Sequence, residues 1–233
     1  MTMYKRILLK ISGEALAGDQ KHGINPEMVN HIVDQIVELH KKGVQIGIVV
    51  GAGNFWRGRQ GVDMERVTAD HMGMLATVMN SLALQDAIEK RGVDVRVQTA
   101  LSMPQVAEIF VLRKALRHFE KGRIVVFACG TGNPFFSTDS GAALRASEIG
   151  ANALLMAKNI DGVYTDDPRK NPDAVKIDEI SYMDVISKQL TVMDTASIVL
   201  CKENNIPIVA FGLDVENGLI KAAMGEKIGT IIH

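Results

Sequence analysis

Short apolar runs alternate along this chain with longer segments whose apolar positions recur at helical spacing. Ile7–Ile11, Ile46–Val50, Val93–Val97, Ile124–Ala128, Leu154–Ala157 and Ile206–Phe211 read as strands. Most are apolar on both faces, as strands of a parallel sheet covered by helices are. Between the first two runs, Met28, Val29, Ile32, Val33, Ile36 and Val37 repeat at helical spacing. Asn25 can cap this helix, Pro26 fits its first position and Gly43 fits just past its end. Gly92, Gly122 and Gly150 mark further helix stops. The alternation predicts an α/β fold: a three-layer αβα sandwich around a mostly parallel sheet, with right-handed crossovers. Around residues 160–182 the periodicity breaks in DGVYTDDPRKNPDA, which reads as a turn-rich excursion of hairpin type. There is no internal repeat and no clean linker. A single domain over 1–233 is expected, with a soft division near residue 150 into two lobes.

Composition narrows the function classes. At 233 residues and 47% hydrophobic content, the chain can build one large core or two lobes on one sheet. The formal charge is −1, so no basic excess points to nucleic acid. No apolar run approaches the ~20 residues of a membrane helix, and the start lacks the long apolar core of a signal peptide. Cys129 and Cys201 are far apart in apolar surroundings and read as small core residues of a reduced, cytoplasmic protein. The histidines have no metal-ligand spacing, and C-x-x-C is absent, so a zinc site is not expected.

The candidate chemistry lies in three turns that follow strands. Residues 130–141, GTGNPFFSTDSG, run from an apolar strand into an alanine-rich helix read over Ser140–Glu148. A helix N-terminus reached through glycines and hydroxyls is suited to an anion, because its free N–H groups and dipole point outward. Gly130 and Gly132 give backbone freedom; Asn133, Ser137 and Thr138 offer donors; Phe135 and Phe136 can wall a planar base. Asp139 can cap the helix, or hold Lys10 or an Mg²⁺-bound group in place. The plainer alternative is a well-capped turn.

Lys10 ends the first strand within LLKISGEAL, where an amine among Ile7, Leu8, Leu9 and Ile11 needs a partner. It can neutralise a transferring phosphoryl group, with Ser12 and Gly13 turning the backbone past the anion, or it can simply reach solvent. No Walker A sequence is present. The second turn, VVGAGNFWRGR, offers backbone amides at Gly51 and Gly53, and the forks of Arg57 and Arg59. A dinucleotide fingerprint fails there, because Trp56 stands where its third glycine is required. Asp70, in TADHMGM, can cap the helix carrying Met72, Leu75, Met79 and Leu82, or accept from sugar hydroxyls. In AKNIDGVYTDDP, Tyr164 can flank a base and an aspartate can orient a ribose, although such carboxylates usually belong to a solvated turn. Three anion-competent turns on one sheet suggest that two phosphorylated groups meet.

LLKISGEAL, GAGNFWRG, DHMGMLATVMN, GTGNPFFSTD and NIDGVYTDDP occur in the order seen in bacterial uridylate kinases, a branch of the amino acid kinase family, which this chain resembles over essentially its whole length. The likeness continues through VMD at 192–194 and MGEKIGT near the C-terminus. It implies the αβα fold and the reaction of ATP with UMP, with Mg²⁺, to give ADP and UDP in pyrimidine nucleotide synthesis. It also implies a cytoplasmic homohexamer inhibited by UTP and, in many members, activated by GTP.

Carried over by position, Lys10, Ile11, Ser12 and Gly13 fall in the ATP phosphate loop, with Lys10 as transition-state stabiliser. Gly53 and Arg57 fall on the phosphate-binding second turn. Ala52 and Asp70 fall on the UMP side, as does the run Thr131, Gly132, Asn133, Pro134, Phe135, Phe136, Ser137 and Thr138. Asp139 would organise the lysine and metal, making Lys10, Arg57 and Asp139 the catalytic set. Asn159, Tyr164 and Asp167 fall at the ATP ribose and base, with Lys158 competing with Asn159 for that contact. No metal ligand is assigned to the protein itself.

Two substitutions depart from the common pattern. Ala52 replaces a frequent glycine, which a backbone contact survives if φ stays negative, and Ser137 replaces a frequent threonine. Residues 18–25, GDQKHGIN, lie where the GTP-responsive loop would be. The Met-rich stretch Met72–Leu84 is the expected subunit interface. Two rivals stay open: a kinase of this fold acting on a carboxylate or carbamate, and a non-catalytic nucleotide-binding protein.

Overall fold

The computed structural model describes residues 4–56, 63–158, 160–166, 168, 170–213 and 215–233. The chain begins with β1 (Arg6–Ile11), α1 (Gly13–Ala17) and α2 (Pro26–Lys41), then β2 (Gln45–Val50) and the long α3 (Arg66–Glu89). β3 (Val95–Thr99), β4 (Glu108–Ile109), α4 (Leu112–Glu120), β5 (Ile124–Ala128), α5 (Thr138–Ile149) and β6 (Ala153–Lys158) follow. A small antiparallel pair, β7 (Val163–Tyr164) with β8 (Lys176–Ile177), precedes β9 (Glu179–Ile180). α6 (Tyr182–Ser187), α7 (Thr195–Glu203), β10 (Ile208–Gly212), α8 (Gly218–Met224) and β11 (Thr230–Ile232) complete the chain.

One nine-stranded sheet runs through the molecule in the order β4-β3-β5-β2-β1-β6-β10-β11-β9, with β10–β11 its only antiparallel pairing among the described residues. The expected sandwich is therefore present. Alternate strand residues serve opposite layers. Ile7, Leu9 and Ile11 join the core beneath α2, α3 and α8, whereas Leu8 joins the core beneath α4 to α7. Lys10 follows the Leu8 parity and Lys158 the Met156 parity, so both lysines belong to the face that α5 covers.

The sequence reading placed most elements closely, and its misses have physical causes. Asn25 does cap α2, accepting from the N–H groups of Glu27 and Met28, and Gly43 turns away at φ +89°. β3 starts two residues later than expected and runs on through Gln98 and Thr99, polar residues that are fully buried. β10 starts at Ile208 because Pro207 has no N–H for the ladder. The excursion at 160–182 forms the β7–β8 hairpin. α3 begins at Arg66, ahead of the expected start, so Asp70 lies inside the helix and does not cap it. α5 is capped by Ser137, which accepts from the N–H groups of Asp139 and Ser140, so Asp139 is not its cap. Both thiols are buried as expected, and burial pushes Cys201 up to about 12.

Candidate active site

The three turns singled out in the sequence leave the same end of adjacent strands β5, β2 and β1. Ligands of open α/β sheets gather at such an edge, beyond the carboxyl ends of the strands. The first two turns are locked together. The Gly51 N–H donates to the Ile11 carbonyl at 2.9 Å, and a Cβ on Gly13 would lie 2.6 Å from the Gly51 carbonyl oxygen. Only glycine fits that crossing, so Gly13 is fixed by packing between backbones. Asn54 and Asn80 form a buried pair through both amides, and Asn80 also donates to the Gly51 carbonyl at 2.8 Å. Ala52 avoids positive φ, as its replacement of glycine requires.

The third turn is held in an unusual backbone path. Cys129, Gly130, Gly132 and Phe135 all have positive φ, at 64°, 54°, 79° and 72°. For Cys129 and Phe135 this is strain, of a kind that persists only where surrounding contacts enforce it. Those contacts are visible. The Cys129 N–H donates to Thr77 Oγ1 at 2.9 Å, and the Phe135 N–H donates to Asp70 Oδ2 at 2.7 Å. Arg66 Nε reaches both oxygens of Asp70, at 2.9 and 2.8 Å, while its guanidinium lies 5.6 Å from the Phe135 ring centre. The sequence reading missed Arg66, although its spacing of four from Asp70 on one helix was a usable signal.

Two cavities open at this edge. One, of about 620 Å³, is lined by Lys10, Ser12, Lys158, Tyr164 and the hairpin region. The other, of about 690 Å³, is lined by Ala52, Gly53, Trp56, Asp70, Thr131, Asn133 and Phe136 to Asp139. Lys158, Thr191 and Val192 line both. At the junction, Lys10 Nζ stands 3.0 Å from Asp139 Oδ1. That oxygen is buried without a hydrogen bond, so the contact is an ion pair whose amine is out of hydrogen-bonding line. Burial pulls the Lys158 amine below the usual lysine range; Asp139 works against this, and the charge of Lys10 adds to it. Lys158 also donates to the Val192 carbonyl.

Asp194 braces the junction from α7. It accepts from the hydroxyls of Ser137, Ser140 and Ser197 and from the Ser197 N–H at 2.8 Å, so it caps α7 and holds the start of α5. Burial pushes its carboxyl up, but the bonds from Ser137 and Ser197 outweigh this and leave it below the usual range. At the far side of the first cavity, the Tyr164 hydroxyl donates to Asp161 at 2.8 Å, and Lys176 holds the other Asp161 oxygen at 2.9 Å.

Of the residues assigned to ATP, Lys10, Ser12 and Tyr164 line the first cavity. Ile11 is fully buried in the core, Gly13 supports the turn, and Gly53 lines the second cavity. Of those assigned to UMP, Ala52, Asp70, Thr131, Asn133, Phe136, Ser137 and Thr138 line the second cavity. Gly132, Pro134 and Phe135 belong to the same loop without lining it, and the Phe135 ring is 68% exposed. Arg57, Arg59, Asn159 and Asp167 lie outside the described residues.

The ends of these strands bring two cavities together across a lysine–aspartate pair, an arrangement that can seat two ligands side by side. The model of the amino acid kinase family matches residues 5–211, and this chain belongs to that family. A curated uridylate kinase of Pediococcus pentosaceus is 56% identical over 233 residues, covering 99% of this chain and 97% of that protein. The crystal structure of a UMP kinase from Bacillus anthracis superposes with a TM-score of 0.95 at 36% identity, covering 99% of this chain and 96% of the other. That of a uridylate kinase from Archaeoglobus fulgidus is more distant, with a TM-score of 0.74 at 26% identity over 97% and 99% of the two chains.

Proposed function

We propose that this chain transfers the γ-phosphoryl group of ATP to UMP, giving ADP and UDP, as a step in pyrimidine nucleotide synthesis. The observation that carries the reading is the meeting of two nucleotide-sized cavities at Lys10 and Asp139. Its choice of acceptor is supported by the likeness to uridylate kinases along the full chain.

In this reading the first cavity takes ATP and the second UMP. The C-terminal part beyond about residue 150 then supplies most of the donor side, and the N-terminal part most of the acceptor side. A UMP phosphate oxygen attacks the γ-phosphorus in line, the bond to the ADP oxygen breaks, and the electron pair leaves with ADP. The nucleophile is already anionic, so no general base is needed. Catalysis comes from holding two anions in register and neutralising the charge that spreads over the phosphoryl oxygens. Lys10 is placed for that neutralisation, Asp139 orients it, and Arg57 is a further candidate cation.

Mg²⁺ is expected to arrive with ATP. An ion of this kind commonly takes one or two carboxylates besides substrate phosphates, and the Asp139 oxygen that lacks a hydrogen bond fits that need. Bound there, it would add charge neutralisation on the phosphates. Asp70 would exchange part of its present contacts for UMP ribose hydroxyls, while Tyr164 would flank the ATP base and Asn159 and Asp167 its ribose.

We further propose a cytoplasmic homohexamer, inhibited by UTP and activated by GTP, with α3 in a subunit interface. Met72, Leu75 and Met79 are 37%, 52% and 46% exposed on that helix, at spacings of three and four. To test the reaction, γ-labelled ATP is incubated with UMP and Mg²⁺. Label in UDP is expected; label only in inorganic phosphate would contradict the reading.

A further inference from the structure

Arg145 lies in the third turn of α5, and only 4% of it is exposed. A buried guanidinium is costly, and a well-packed apolar side chain often serves stability as well or better. Here the cost is only partly offset. One nitrogen meets Glu148 at 2.5 Å, another donates to the Gly130 carbonyl at 3.2 Å, and Nε has no hydrogen-bond partner. The guanidinium carbon stands 3.8 Å from the centre of the Phe110 ring, which itself packs edge-on against Phe127. The stack fixes the plane of the fork, and the fork fixes the Gly130 carbonyl.

Gly130 is the second of two consecutive left-handed residues at the head of the acceptor loop. The loop is clamped there from other sides as well. A Cβ on Gly141 of α5 would lie 2.8 Å from Gly130 Cα, and one on Gly132 would lie 3.0 Å from Ala100 Cβ. Of these contacts to the loop, the bond from Arg145 is the polar one that pulls a carbonyl down onto α5. With that carbonyl held, Gly130 and Thr131 face the second cavity.

We infer that Arg145 is a positioning residue for the acceptor: it sets the Gly130–Asn133 backbone so that the loop presents its donors to UMP. This rests on the reading of the second cavity as the UMP site. Arg145 itself lines neither cavity, so it acts through the loop.

The test compares wild type with Arg145→Met, which keeps the length and loses the fork, and with Phe110→Leu, which keeps the fork and loses the stack beneath it. Steady-state KM is measured for UMP and for ATP. UMP binding is followed separately by the fluorescence of Trp56, the chain's single tryptophan, which lines the acceptor cavity. For Arg145→Met we expect KM for UMP and the fluorescence Kd to rise ~10-fold or more, as a loop displaced by a fraction of an ångström would cause, with KM for ATP within about twofold. Phe110→Leu moves the same two quantities less, and decides the matter if Arg145→Met does not fold. Unchanged UMP constants in a folded variant, or equal rises for both nucleotides, overturn the inference. A wild type that binds no UMP and turns over none overturns the UMP reading instead.

Discussion

Lys10 and Asp139 touch at 3.0 Å yet line different cavities, the lysine the one beside the β7–β8 hairpin and the aspartate the one around Asp70 and Thr131. In the proposed reaction the pair spans the boundary that the phosphoryl group would cross. Lys10 lies there because strand parity turns its side chain toward α5, and Asp139 because Ser137, two residues earlier, caps that helix.

Removal of the amine tests that placement. Lys10→Ala is expected to lower the turnover number at least ~100-fold, in line with the loss of a single charge-stabilising donor. The variant leaves Asp139 without its cation, so circular dichroism should accompany the kinetics. Near-wild-type turnover would remove Lys10 from the mechanism.

Asp70 now holds Arg66 and the Phe135 amide together. Asp70→Ala is expected chiefly to raise KM for UMP, with a smaller change in the turnover number. An unchanged KM for UMP would confine Asp70 to fastening the loop onto α3.

Asp194 gives a prediction in pH. Its carboxyl lies below the ordinary 3.8 in the folded protein, so its stabilisation is fully present above 3.8 and is lost as pH falls through the lowered folded value. Asp194→Ala also removes the cap of α7. It should cost about 1–2 kcal/mol at neutral pH, the usual range for a lost cap, and the gap to wild type should narrow in acid. Thermal melts at pH 7 and pH 3 measure this; an equal gap at both would refute the titration argument.

The exposed stripe on α3 predicts assembly. Met79→Glu would place a charge in the proposed apolar contact and is expected to break the proposed hexamer, read by sedimentation beside wild type. An intact hexamer would move the interface elsewhere.

What the sequence disclosed and what it withheld follow the range of the interactions involved. Strands apolar on both faces, the Asn25–Pro26 helix start and the glycine stops are local signals, and they located the sheet and most helices. The start of α3 was hidden because the side chain of its cap residue, Glu65, accepts from no helix N–H and takes the Thr68 hydroxyl instead. The short strands β4, β9 and β11 were hidden because two or three residues carry no period. Within the site, Lys10 and Asp139 were legible as a charge in an apolar strand and an acid at a helix start. The roles of Asp194 and Arg145 were not, since each depends on partners brought together only by the fold, such as Ser137 across 57 residues for Asp194.

The most direct measurement is ADP release from ATP and Mg²⁺ against a panel of acceptors: UMP, CMP, dUMP, acetylglutamate, aspartate and carbamate. Turnover with UMP well above CMP, and none with the carboxylates or carbamate, is the predicted result. ATP binding without turnover on any acceptor, or turnover on a carboxylate or carbamate in place of UMP, would contradict the account.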